Sequence, residues 1–123
     1  YTSICPPGPS QAIALSALRN ISSVMTRNTS LARKNFSILD EWVSVNSDIV
    51  SYIPPCEGVV AFVKYGACAD SIQVAGELAN FDSVLVVPGS CFEVDGYIRI
   101  GFGGDTDTLQ LGLDLAAKRL QIM

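Results

Sequence analysis

The sequence contains no histidine, and this absence removes several kinds of chemistry. Histidine is the commonest general base and the commonest metal ligand, and it activates serine or cysteine in nucleophilic dyads. The chain supplies none of these groups. Acid–base catalysis by the chain alone would depend on a carboxylate whose pKa is raised by burial, with Glu57, Glu93 and Asp95 as candidates.

Basic residues are also scarce. Lysine and arginine number 8 against 12 aspartate and glutamate residues, the net charge is −4, and no basic stripe is visible. Long apolar runs are missing too, since no charge-free segment is long enough to cross a bilayer. We therefore expect neither a nucleic-acid partner nor a membrane partner. Because no signal peptide is visible, we expect a cytoplasmic location.

What the sequence does contain is apolar. Hydrophobic residues make up 49% of the 123 positions, and the mean hydropathy is +0.35. A domain of this size can bury a core of its own, but this composition leaves surplus apolar surface. We expect a second domain or a second subunit to cover it. The first residue, Tyr1, is not an initiator methionine, which favours a piece of a longer protein.

No C-x-x-C pair is present among the four cysteines, and their flanking residues are apolar or typical of tight turns. This spacing favours free thiols over a disulfide framework, and we expect them to be buried. They are Cys5, Cys56, Cys68 and Cys91. Three N-x-[ST] sequons, at Asn20, Asn28 and Asn35, lie in a serine- and threonine-rich stretch, and we interpret them as coincidence.

Hydrophobic periodicity predicts the element order α-α-β-β-α-β-β-α. The first helix begins at Ser10 as N-cap, and a longer helix runs from about residue 23 to 46. Two strands, IVSYI and GVVAFVKY, precede a short helix that is capped by Asp70 or Ser71 and has Ile72, Ala75 and Leu78 as its apolar stripe. The segment SVLVVPGSCFEV supplies a strand that ends at a Pro88-Gly89 turn. YIRIGFGG supplies the next strand and leads to a final amphipathic helix capped by Asp105 or Asp107. These elements predict one α/β (α+β) domain over residues 1–123, a small mixed or antiparallel sheet of about four strands covered by helices.

Arg99 interrupts the last strand, YIRIGFGG, whose other residues have the aromatic and β-branched character of a half-covered sheet. A guanidinium stays charged and is costly to desolvate unless an anion meets it. Arg99 therefore predicts an anionic partner. That partner is either a ligand or an acidic residue of the chain, Glu93 or Asp95.

The segment VVPGSCFEVDGYIRIGFGGDTDTLQLGLDLAAKRL closely resembles the closing segment of class I/II aminotransferases, the fold-type-I pyridoxal-phosphate enzymes. In that family a strand ends in V-x-P-G-x-x-F, and the next strand carries R-[IL]-[GS]-[FYC]. ILDEWV and VSYIPPCEGVVAFVKY resemble an earlier stretch, and residues 1–22, including Tyr1, resemble the segment between the two domains. The resemblance covers only the small C-terminal part of the family's architecture.

The resemblance implies roles for several residues. Arg99 corresponds to the arginine that binds the α-carboxylate of the amino-acid or 2-oxo-acid substrate. Glu57 and Gly58 belong to a turn resembling a loop near the substrate side chain, although a plain hairpin turn is an equal alternative. Phe92 corresponds to a phenylalanine that more often packs the interdomain surface.

The family's cofactor chemistry needs groups from a large domain: a lysine, an aspartate and a tyrosine on the ring, and residues that bind the phosphate. Lys34, Lys64 and Lys118 do not lie in the family's S-x-x-K context, and solvated surface positions explain them better. Pyridoxal 5'-phosphate is therefore expected only through a missing large domain.

Three hypotheses remain. The chain is the substrate-carboxylate-binding small domain of an aminotransferase, joined to a large domain or a homodimer partner and not competent as a transaminase alone. Alternatively, it is a stand-alone relic that acts as a small-acid binding module or a cofactor-independent enzyme. The third hypothesis is a purely structural domain in which Arg99 is buried and paired.

Overall fold

The computed structural model of the protein describes residues 5–123, so that Tyr1 falls outside the described residues. The helices are α1 (Gly8–Arg19), α2 (Ile21–Val45), α3 (Ser71–Asp82) and α4 (Thr106–Ile122). The strands are β1 (Val50–Tyr52), β2 (Val60–Tyr65), β3 (Val87–Pro88) and β4 (Tyr97–Gly101), with a 3₁₀ turn at Gly89–Phe92. The predicted order of helices and strands is confirmed. The described residues divide into two compact units, one ending at Ser30 and the other covering residues 31–123.

The first unit contains α1 and the beginning of α2. Helix α1 begins at Gly8 with Pro7 as its N-cap, so the predicted cap at Ser10 is wrong. A second proline, Pro9, lies in the first turn, where its fixed φ suits a helix and its missing N–H would have no helical partner. No residue of α1 is buried, and the apolar side chains of Ile13 and Leu18 lie exposed.

The second unit is built on a four-stranded antiparallel sheet with strand order β1-β2-β4-β3. Burial alternates along β2 and β4, which shows that one face of the sheet is covered and the other is open. The covered face carries Ala61, Val63, Ile98 and Ile100. These side chains share one core with residues of α2, α3 and α4, among them Leu39, Val74, Leu78, Leu113 and Leu120.

The segment predicted as a strand before Pro88 is largely not one. Only Val87 and Pro88 pair with β4, opposite Arg99 and Ile98. After Pro88 the chain turns at once into the 3₁₀ turn. The predicted Pro88-Gly89 turn is therefore confirmed, whereas residues 83–86 form no strand. Periodicity does not reveal the short length of β3, because the apolar residues at 84–87 are compatible with a longer strand.

Two helix N-caps follow the sequence prediction. The Asp70 side chain accepts a hydrogen bond from the backbone N–H of Gln73 at the start of α3, and Asp105 accepts one from Thr108 at the start of α4. The predicted stripe of α3 is partly wrong, since Ile72 is 65% exposed and Ser71, Val74 and Leu78 are the buried residues. In α4, which was predicted to be amphipathic, the buried residues include Leu113, Ala116 and Leu120.

Asn35 is a structural residue that the sequence reasoning missed. It is 0% exposed, and its Nδ2 donates to the carbonyl oxygens of Phe102 and Gly104, at 2.9 and 2.8 Å. Its Oδ1 accepts a hydrogen bond from the Thr106 hydroxyl at 2.8 Å. The amide thus ties α2 to the loop between β4 and α4. Because the same nitrogen is buried and used twice, a glycan at this sequon is incompatible with the folded structure.

The four cysteines are free thiols, as predicted, but the prediction that they are buried is wrong. All four are exposed. Cys56 and Cys68 lie in loops on either side of β2, and Cys91 lies in the 3₁₀ turn. Apolar neighbours in the sequence did not bury them, because these segments connect core elements rather than face the core.

None of the described helices has the combined length and apolarity needed to cross a bilayer.

Candidate carboxylate-binding site

Arg99 lies at the middle of the open face of the sheet. In β4, Ile98 and Ile100 are buried whereas Arg99 is exposed, since successive side chains of a strand point to opposite faces. The register places Phe62 of β2 opposite Arg99 on one side and Val87 of β3 on the other. The sheet therefore holds the backbone of Arg99 on both sides while its side chain faces away from the core.

The guanidinium of Arg99 forms no ion pair with the described part of the chain. Residues 5–123 contain one salt bridge, in which Arg119 Nε lies 2.7 Å from Asp82 Oδ2. The alternative that Arg99 is buried and paired with Glu93 or Asp95 is therefore wrong for this chain. The hydrogen-bond donors of Arg99 are accessible from the open face.

Three aromatic rings, those of Phe92, Phe62 and Tyr97, lie on the same face as Arg99, and Phe92 contacts its guanidinium. Its guanidinium carbon lies 5.1 Å from the centroid of the Phe92 ring. Phe92 meets Phe62 edge to face, with 5.8 Å between centroids, and Phe62 stacks on Tyr97 at 4.9 Å with an interplanar angle of 8°. The open face thus presents the Arg99 guanidinium beside a cluster of three aromatic rings.

The P-G-x-x-F segment explains how Phe92 reaches this position. Pro88 pairs with Ile98 at the end of β3, and the 3₁₀ turn from Gly89 to Phe92 folds back against β4. A Cβ at Gly89 would overlap the carbonyl oxygen of Val94 and lie 2.7 Å from that of Tyr97. Only glycine allows the turn to pack this closely, and Phe92 follows three residues later.

Replacing Gly89 by alanine is therefore expected to destabilise the second unit by about 1–3 kcal/mol, because backbone must move to accept the methyl group. Urea unfolding followed by the fluorescence of Trp42, the single and buried tryptophan, measures the change. Gly76→Ala in α3 is the matched control. Its Cβ would meet nothing within 4 Å, and alanine favours a helix, so its stability should stay equal or rise. Equal unfolding midpoints for Gly89→Ala and wild type would contradict the close-packing argument.

Asp95 has a structural role rather than that of an acid with a raised pKa. Its Oδ1 accepts a hydrogen bond from the backbone N–H of Ser71, at 2.8 Å. Hydrogen bonds from the Ser71 side chain and backbone hold the pKa of Asp95 below its ordinary value. The carboxylate is ionised at neutral pH, and its contribution to stability is lost only as the pH falls below about 4, through that lowered pKa. The prediction that Asp95 could act as an acid or base with a raised pKa is therefore wrong.

Glu57 and Gly58 lie in an exposed loop just before β2. Gly58 has φ +86°, a left-handed conformation that glycine adopts without strain. The register pairs Val60 with Gly101, and the Phe102 N–H donates to the Val59 carbonyl at 2.8 Å. The loop therefore lies at the end of β4, two residues beyond Arg99 along that strand. Glu93, the remaining carboxylate candidate, is exposed and ends the 3₁₀ turn with φ 61°.

The described residues do not fit pyridoxal phosphate. Lys34 on α2 and Lys118 on α4 are exposed, and Lys64 is exposed on the open face of β2, opposite Tyr97. No element covers the amine of Lys64, so nothing would desolvate it for covalent chemistry. Within residues 5–123, no cluster of three or more cysteine, aspartate or glutamate side chains could hold a metal ion.

An apolar cavity of about 460 Å³ lies elsewhere in the second unit, between residues 82–86, the end of β4 and α4. Ile100, Leu109 and Leu113 are among its lining residues. Ile100 points away from the face that carries Arg99, so this cavity is not the environment of the guanidinium. A closed ligand site at Arg99 needs walls beyond those of the sheet.

Comparisons with known proteins identify solved structures with the same fold. The structure of a pyridoxal-phosphate-dependent aminotransferase from Streptococcus suis superposes with a TM-score of 0.94 and 34% identity, over 99% of this chain and 32% of that protein. A pyridoxal-phosphate-dependent cyclase, OrfR, matches with a TM-score of 0.78 and 28% identity, over 86% of this chain and 30% of its own. No family model matches the sequence.

One curated relative is capreomycidine synthase from Streptomyces vinaceus, which is 28% identical over 110 residues. The match covers 89% of this chain and 28% of the relative. The chain thus spans about a third of the length of the proteins it resembles. In fold and in sequence, the chain is similar to the small C-terminal domain of fold-type-I pyridoxal-phosphate-dependent aminotransferases.

Proposed function

We propose that the chain is the substrate-carboxylate-binding small domain of a pyridoxal-phosphate-dependent enzyme that acts on an amino acid or a 2-oxo acid. The observation that carries this proposal is the exposed guanidinium of Arg99, which forms no ion pair with the described residues. A chain with a net charge of −4 presents this cation on an open face of its sheet.

The chemistry of the guanidinium suits a carboxylate. Its planar set of N–H donors can form two parallel charge-assisted hydrogen bonds to one carboxylate group. Because β4 is paired on both sides, the Arg99 backbone is fixed and the ligand would be oriented with it. An amino acid held by its carboxylate presents its amino group in a defined direction, which lowers the entropic cost of reaction. Glu57 and Gly58 are proposed to lie near the substrate side chain.

The remaining chemistry would come from a second, larger domain. This chain covers about a third of its relatives' length, and its lysines are exposed and unsuited to the cofactor. The larger domain would bind pyridoxal phosphate, supply the lysine and close the open face above Arg99. Residues 1–123 would then act as a single small domain, with residues 1–22 linking it to the larger one. A dimeric assembly and a cytoplasmic location stay predictions.

A second candidate is a cyclase that uses the same cofactor, since relatives named as a cyclase and as capreomycidine synthase each share 28% identity with the chain. Product analysis of the full-length protein distinguishes the two reactions. An aminotransferase consumes a 2-oxo acid and forms a new amino acid. A cyclase forms a ring product without consuming a 2-oxo acid.

The carboxylate proposal is tested by changing the ligand. The full-length protein that carries this chain is titrated with an amino acid and with the matching amino-acid amide, and binding is followed by the visible absorbance of the cofactor. The amide lacks the negative charge, so wild type should bind it on the order of 10²-fold more weakly, as for the loss of a charge-assisted pair. The Arg99→Gln variant should lose most of this discrimination. Equal discrimination in both proteins would refute the role of Arg99.

A further inference from the structure

We propose that Phe92 is a positioning residue for Arg99, holding the guanidinium in place so that it can bind a carboxylate. This inference rests on the proposed function. The guanidinium carbon lies 5.1 Å from the centroid of the Phe92 ring, within the distance at which a cation is attracted to an aromatic face. Arg99 forms no ion pair among residues 5–123 that could position it instead.

The ring that contacts Arg99 is itself fixed. Phe92 meets Phe62 at 87° with 5.8 Å between centroids, and Phe62 stacks on Tyr97 at 4.9 Å. Phe62 and Tyr97 belong to β2 and β4, the two central strands. The three rings therefore connect Arg99 to the rigid part of the sheet through side-chain packing.

For an arginine that must bind a carboxylate ligand, contact with an aromatic ring is more suitable than contact with an acidic side chain of the chain. A carboxylate from the chain would occupy the N–H donors that the ligand needs, whereas a ring attracts the cation without accepting those donors. The nearby Asp95 binds the backbone of Ser71 instead. Arg99 is thus partly ordered before the ligand arrives, while its full set of donors remains available. Ordering in advance lowers the entropic cost of binding.

The chain offers a matched control for this contact. Phe81 lies under Arg119 with the same 5.1 Å between guanidinium carbon and ring centroid. Arg119 is held by Asp82 and belongs to α4, away from the open face of the sheet. Phe81→Leu therefore removes an equivalent contact from an arginine that has no proposed ligand.

The experiment measures amino-acid binding to the full-length protein through the visible absorbance of its cofactor. Phe92→Leu should weaken binding of the amino acid about twofold to fivefold, the range expected for an exposed cation–aromatic contact. It should leave binding of the amino-acid amide unchanged, because the effect acts through the carboxylate. Phe92→Trp should restore binding to within about twofold of wild type, since tryptophan is the strongest partner for a cation. Phe81→Leu should have no effect.

A double-mutant cycle with Arg99→Gln decides whether Phe92 acts through Arg99. In the Arg99→Gln background, Phe92→Leu should cause no further loss. An equal loss in both backgrounds, or an equal loss for amino acid and amide, would overturn the positioning role. If Arg99→Gln weakens binding but Phe92→Leu does not, this inference fails and the proposed function stands. If Arg99→Gln itself leaves carboxylate binding unchanged, both fail.

Discussion

Replacing Arg99 by glutamine is expected to lower kcat/KM for an amino-acid substrate of the full-length protein on the order of 10²- to 10³-fold. Glutamine keeps a polar side chain but removes both the positive charge and the paired donors. The carboxylate of the substrate would then lose its charge-assisted partner in a site closed to water. Lysine at this position keeps the charge without the planar pair of donors, so Arg99→Lys should recover only part of the loss.

Lys64→Gln is the matched control for this experiment. Lys64 is a second exposed cation on the same face of the sheet, opposite Tyr97 on the neighbouring strand. If the general positive charge of the face attracts the substrate, the two variants should behave alike and their difference from wild type should fade with added salt. If Arg99 binds the carboxylate directly, Lys64→Gln should stay within about threefold of wild type, a shift expected from an exposed charge that does not contact the substrate. Similar losses in Arg99→Gln and Lys64→Gln would contradict direct binding.

Replacing Phe102 by alanine is expected to lower the free energy of unfolding by about 3–5 kcal/mol. Phe102 is 2% exposed and is among the largest fully buried side chains of the described residues. Its ring packs 6.0 Å from that of Phe36, between centroids. Its carbonyl also accepts the hydrogen bond from Asn35, so a shift of the backbone here would disturb a second buried contact. Alanine would leave a cavity at this junction.

Urea unfolding of the chain, followed by Trp42 fluorescence, measures this loss. Phe102→Leu keeps most of the volume and should cost less than the alanine change, which preserves a measurable variant if Phe102→Ala fails to fold. Leu85→Ala is the control, because Leu85 is 91% exposed and truncation there should change stability by about 0.5 kcal/mol or less. A Phe102→Ala protein as stable as Leu85→Ala would show that Phe102 does not belong to the core.

Local signals predicted the elements well where a single side chain or a period decides the outcome. Asp70 and Asp105 cap α3 and α4 as expected, because capping needs only the backbone N–H groups a few residues away. The strand character of β4 also followed from sequence, and the structure shows that Ile98 and Ile100 lie on one face and Arg99 on the other. The motif around Arg99 further indicated the resemblance that the comparisons support.

Burial was predicted less well, because it depends on which surfaces meet. Ile72 has the helical spacing of a core residue and yet is 65% exposed, while Ser71 beside it is buried against the turn that carries Ser90. The buried role of Asn35 gave no signal in the sequence, since its partners at Phe102 and Gly104 lie more than sixty residues away along the chain. The exposed cysteines are the same kind of error, because apolar sequence neighbours do not imply a place in the core.

The sequence by itself determined the order of helices and strands, the lack of histidine chemistry and the presence of one arginine in an otherwise half-buried strand. These are properties of composition and of short-range periodicity. Only the tertiary structure decided that Arg99 has no acidic partner among the described residues and that Phe92 lies beside it. Both facts depend on strand register and on the close packing of Gly89. The register sets the neighbours of Arg99 in the sheet, and the turn that begins at Gly89 brings Phe92 back against it.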